Sequence, residues 1–100
     1  MIIYNVTLSV DPAIADEWVI WMKQEHIPDL INTSLFTDAK LCHLLDQDES
    51  TGITYVAQYF CGSVDDYKQY IERHADGMRK KVLERYGDKV IAFRTLMETI

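Results

Sequence analysis

An α+β domain, with two helices on one face of a four-stranded antiparallel sheet, is the fold this 100-residue sequence predicts. Three observations lead there. Residues 2–10 alternate apolar and polar, the period of a strand. Asp11-Pro12 then opens a stretch in which Trp18, Trp21, Met22 and Glu25 recur at helical spacing. After it, turn signals divide the chain into strand, strand, helix and strand.

Each element has its own local reason. On the first strand Ile2, Tyr4, Val6, Leu8 and Val10 face one way, and Ile3, Asn5, Thr7 and Ser9 the other. The first helix is expected over 11–26. Asp11 can accept from the free N–H groups of the first turn, and Pro12 sits where a missing N–H costs nothing. Pro28 disfavours helical geometry at Ile27, so the helix is expected to stop near His26, with a short turn over 28–32. Ile14, Trp18, Trp21, Met22 and Glu25 mark one helix face. Each tryptophan can bury roughly 150–250 Å², worth at most about 4–6 kcal/mol.

Residues 36–46 form the second expected strand, with Ala39, Leu41, His43 and Leu45 on one face. The charged run 46–52 is a turn, and 53–61 a third strand rich in aromatic and β-branched residues. Ser63 caps a second helix, with Asp66 at the capping-box position. Tyr67, Tyr70, Ile71, His74 and Met78 share its apolar face, Gly77 marks an expected kink, and Gly87 stops it. Residues 89–99 are the last strand.

The order β-α-β-β-α-β is the ferredoxin-like split pattern, and residues 1–100 make one domain. Helices on one face leave the other face bare. That face carries Ile3, Asn5, Thr7 and Ser9 on the first strand, and a second copy of the chain is the simplest cover. Two sheets packed face to face give a dimeric α+β barrel, so a homodimer is expected.

Composition narrows the function. Hydrophobic residues make up 48%, which argues against disorder. The net charge of −6 argues against nucleic acid and anionic membrane as partners. Charge is uneven, however: residues 1–62 carry nine acids and two bases, and residues 63–100 seven acids and eight bases. Arg79, Lys80 and Lys81, with Arg73 and Arg85 nearby, form the only basic cluster, either a solvated helix face or a docking surface. No signal peptide or membrane span is expected from the sequence, and the reading is cytoplasmic. Cys42 and Cys61 fall on the two arms of a hairpin, with Cys42 opposite about Ala57. Two free, partly buried thiols are expected.

The start Met-Ile-Ile-Tyr-Asn-Val-Thr, the helix Trp18-x-x-Trp21-Met22-Lys23-x-x-His26-Ile27-Pro28, Phe36-Thr37, and the end Gly87-Asp88-Lys89-Val90-x-x-Phe93-Arg94-Thr95 resemble a family of short bacterial proteins classed as a domain of unknown function. The resemblance spans essentially the whole chain. It implies the dimeric α+β barrel fold and no particular activity. More widely, the chain is similar to antibiotic-biosynthesis and haem-degrading monooxygenases. Their pockets use a first-strand asparagine, a tryptophan and, in the haem enzymes, a histidine on the later helix. That resemblance implies Asn5 and His74 as counterparts, with Tyr67 standing where those enzymes have tryptophan.

The residues themselves offer few chemical groups. His26, beside Glu25, is a candidate general acid or base, or simply a residue favoured by the helix C-terminus. His43 and His74 read as packing residues. No histidine pair has zinc-binding spacing and there is no Cys-x-x-Cys, so neither metal nor cofactor is expected. Six tyrosines suit a cavity or an interface, because a buried hydroxyl needs a partner. Asn5, Trp18, Trp21, Tyr67 and Arg94 are the expected contacts for a small apolar or aromatic ligand, in a pocket between sheet and helices. The sequence therefore predicts a small-molecule-binding dimer. A monooxygenase-like enzyme using Asn5, His74 and His26 is a second reading, and an interaction module docking through 73–85 a third.

Overall fold

Strand alternation is realised residue by residue in β1 (Ile2–Val10), where every even-numbered residue is buried and none of the odd-numbered ones is. The computed structural model describes residues 1–100. Beyond β1 it contains β2 (Asp38–His43), β3 (Ile53–Cys61) and β4 (Val90–Glu98), in the spatial order β2-β3-β1-β4, all antiparallel. Helices α1 (Ala15–Trp21) and α2 (Ile27–Ile31) connect β1 to β2, and α3 (Val64–Tyr70) and α4 (Asp76–Tyr86) connect β3 to β4. This is the ferredoxin-like β-α-β-β-α-β topology, with both helical connections on one sheet face.

Local signals start both connections. The Asp11 carboxylate accepts from the Ala13 N–H at 2.9 Å, and the Ser63 hydroxyl from the Asp66 N–H at 3.2 Å. Gly87 ends α4 at φ +59°, a conformation most side chains avoid, while its N–H bonds to the Leu83 carbonyl.

The first helix departs from the sequence expectation. It does not stop at His26. A π turn, Met22–His26, joins α1 to α2, and Ile27 stays helical at φ −62°, ψ −47°. The Ile27 N–H reaches back five residues to the Met22 carbonyl. A regular α-turn would have set the Pro28 ring against the carbonyl four residues earlier; the wider turn relieves that conflict without breaking the helix. The wider turn also changes the phase of the helix. Glu25, expected on the inward face, is exposed, and His26 turns in beside Met22 and Leu30. In the second connection the irregularity is likewise a π turn, Ile71–Ala75, which precedes the expected kink at Gly77.

β2 ends at His43, not at residue 46, because Asp46 takes a positive φ of 59° and turns the chain out of the ladder. Cys42 pairs with Val56 and is exposed, whereas Cys61 is buried; both are free. His43 lies exposed and contacts Glu49. The core is one cluster of 17 buried residues, all hydrophobic, centred on Val10, Trp18, Leu30, Tyr59 and Cys61.

Candidate functional site: an apolar cavity between sheet and helices

Small side chains under large helices leave a void. Ala57 on β3 lies beside Val6, and Ala92 on β4 beside Leu8, so two short side chains sit where the helices pass over. The result is a cavity of about 310 Å³. Its floor is the inward row of the sheet: Tyr4, Val6 and Leu8 from β1, Ala57 and Tyr59 from β3, and Val90, Ala92 and Arg94 from β4. Trp18, Met22, His26 and Leu30 roof it on one side; Tyr70, Arg79, Val82, Leu83 and Gly87 close the other. The volume suits a small organic molecule, and apolar walls with few polar groups are the usual make-up of such sites.

The polar groups are unevenly satisfied. The indole Nε1–H of Trp18 is buried and no protein group accepts from it; Nδ1 of His26 is also buried without a partner. Each such atom costs free energy comparable to a lost hydrogen bond. Burial lowers the His26 pKa to about 4; Lys81 and Arg94 act in the same direction, and Asp29 opposes them. The ring is therefore neutral at pH 7 and can donate from one nitrogen and accept at the other. It stacks on Trp21 with centroids 4.9 Å apart, and Trp21 meets Tyr86 edge-on at 5.5 Å.

At one end of the cavity Tyr4 gathers Phe36, Tyr59, Tyr67 and Tyr70, with ring centroids 5.4–6.1 Å away. The Tyr4 hydroxyl accepts from Arg79 Nη2 at 3.4 Å. Burial pushes the Tyr59 and Tyr70 hydroxyls well above the usual phenol range, so both remain protonated donors.

The residues singled out from sequence separate into three groups. Trp18, His26 and Arg94 line the cavity. Trp21 and Tyr67 stand one layer behind, touching His26 and Tyr4 respectively, and His74 stacks on Tyr70 at 6.3 Å. Asn5 is elsewhere. As an odd-numbered β1 residue it lies on the bare sheet face, within hydrogen-bonding distance of Gln58 (3.2 Å) and Thr95 (3.3 Å). The sheet therefore stands between Asn5 and His26, and between Asn5 and His74, so the structure does not assemble the asparagine–histidine set that the monooxygenase resemblance implied. Tyr4, Tyr59 and Tyr70, three of the six tyrosines expected to suit a cavity, line it, and so does Arg79, which the sequence placed only in the basic cluster. The inward row 4-6-8 is legible in the sequence by its period of two, whereas its pairing with 57-59 and 90-92-94 comes from the structure.

The basic cluster is engaged within the chain. Arg85 pairs with Glu17 at 3.3 Å, Lys81 with Asp29 at 3.5 Å, and Lys80 with Glu84 at 3.8 Å. The first two pairs tie α4 to the first helical connection. No group of three or more His, Cys, Asp or Glu residues is placed to hold a metal ion, and no helix is long and apolar enough to cross a membrane.

Fold and cavity together define a small ferredoxin-like α+β domain with an internal apolar chamber. The chain belongs to the family described as a domain of unknown function, DUF4286, which matches residues 1–100. No curated protein matches it in sequence. Among solved structures it is similar to a dimeric ferredoxin-like protein from an uncultured marine organism, with TM-score 0.77 and 8% identity over 99% of this chain and 94% of that one. It is also similar to an ethyl tert-butyl ether d (ethd) family protein from Bacillus halodurans, with TM-score 0.69 and 14% identity over 100% of both chains. A third, provisionally described as an antibiotic biosynthesis monooxygenase from Deinococcus radiodurans, gives TM-score 0.59 and 15% identity over 100% of this chain and 93% of that one. At these identities the likeness concerns the fold alone.

Proposed function

We propose that this protein is a small-molecule-binding domain that works as a homodimer and takes an apolar or aromatic ligand into the cavity between sheet and helices. The cavity carries the reading: about 310 Å³, walled mainly by apolar side chains with few polar groups among them. Nothing in the wall amounts to a nucleophile with its base, so binding fits the site better than turnover does.

The bare sheet face supports the dimer. Phe93 is 64% and Ile91 67% exposed there, beside Ile3, Val56, Phe60 and Met97, and an apolar face of this kind commonly marks an association surface. The dimeric ferredoxin-like structural relative points the same way.

The test is a thermal-shift and tryptophan-fluorescence screen with indole, naphthalene and related aromatic compounds. Saturable quenching with a raised Tm is the expected result, since Trp18 forms part of the wall. A screen that leaves both signals unmoved removes the ligand half of the proposal.

A further inference from the structure

The cavity's only charged groups are cations, in a protein that is acidic overall. The net charge is −6, yet no Asp or Glu lines the cavity, and Arg79 and Arg94 both do. Arg79 is already held by the Tyr4 hydroxyl. Arg94 differs: its guanidinium makes no ion pair and no side-chain hydrogen bond within the chain, although β4 places it on the inward row beside Val6. It is exposed, so it stands at the rim of the chamber. Guanidinium nitrogens can only donate. A ligand that satisfies Arg94 must bring acceptors, and a carboxylate offers two oxygens matched to the guanidinium fork.

We infer that the ligand is a small aromatic or apolar carboxylic acid, its hydrocarbon part in the chamber and its carboxylate on Arg94 at the rim. The inference rests on the small-molecule reading above and narrows it to one chemical class. An uncharged hydrocarbon would fill the same volume but leave the Arg94 guanidinium unmatched. A bare inorganic anion would match the arginine and leave the apolar walls empty. Arg94 selects the charged group; the apolar chamber supplies most of the affinity.

The experiment is isothermal titration calorimetry of the full chain with acid–amide pairs of rising size: benzoate and benzamide, cinnamate and cinnamamide, 2-naphthoate and 2-naphthamide. The acid of at least one pair is expected to bind at least tenfold more tightly than its amide. Arg94→Met should abolish that preference and Arg94→Lys should keep part of it, with both variants melting near the parent because the side chain is exposed. Equal binding of acid and amide overturns the carboxylate inference and leaves the small-molecule reading standing. A preference that survives intact in Arg94→Met overturns the assignment to Arg94. If no member of any pair binds, the inference and the reading beneath it both fall.

Discussion

The two faces of the sheet are built from the same strands and solve opposite problems. On the covered face, Tyr4, Val6 and Leu8 are 3–8% exposed and meet helices that carry both tryptophans. The polar groups there are few, and those of Trp18 and His26 are left unmatched. On the bare face the centre is polar and self-satisfied: Asn5 accepts from Gln58 and donates to Thr95, while Phe93 and Ile91 stand exposed around them. Polar groups that already satisfy one another lose little when water is removed, so such a face can be covered by a protein surface at modest cost. In the proposed reading the apolar cavity, with Arg94 unpaired at its rim, instead takes a ligand that carries acceptors. In the proposed function, one face is covered by a second copy of the chain and the other takes a small molecule.

Substitutions on each face should sharpen this contrast. The largest effect belongs to Trp18→Ala, which empties a fully buried site under the helices; urea denaturation should show a loss of about 3–5 kcal/mol, enough to bring a domain of ordinary stability close to unfolding. A loss below about 1 kcal/mol would mean the helices hold the sheet without that side chain.

His26 adds a pH signature to the covered face. Its pKa falls from 6.5 to about 4 on folding, so between those values the unfolded chain binds more protons than the native one. Stability from this group is complete above about pH 6.5 and drains away as pH falls towards 4, by up to about 3 kcal/mol. Urea titrations at pH 5 and pH 7 should show the difference, and His26→Gln should flatten it. An unchanged slope in that variant would assign the pH dependence to other groups.

The smallest expected effect on folding lies on the bare face. Phe93→Asp puts a charge into the proposed dimer contact and should weaken association by about 2 kcal/mol, roughly thirtyfold, while the monomer still unfolds cooperatively. Sedimentation velocity reads the first and a melting curve the second. A parent protein that sediments as a monomer at 100 µM (about the highest concentration at which such a contact would matter) would remove the second copy from the picture.

Much of the architecture was legible because its signals are local. Alternation set β1 to the residue, and aromatic and β-branched composition between turn signals set β3; Asp11 and Ser63 marked the helix starts, and Gly87 the last helix end. The candidate site was harder to read. Trp18, His26 and Arg94 were named from sequence and do line the cavity; Asn5 was grouped with them, although the period-two pattern of β1 already placed it on the face away from Tyr4.

By itself, then, the sequence determined which segments extend, which coil, and which strand faces are apolar, because those properties depend on neighbours within a few residues. Only the tertiary structure decided the rest. The π turn that brings His26 inward and sends Glu25 out arises from fitting Pro28 into a helix that must still pack on the sheet. The chamber exists because Ala57 and Ala92, distant in sequence, lie under the same helices. Empty volume belongs to an arrangement of elements, not to any one of them, and no local pattern encodes it.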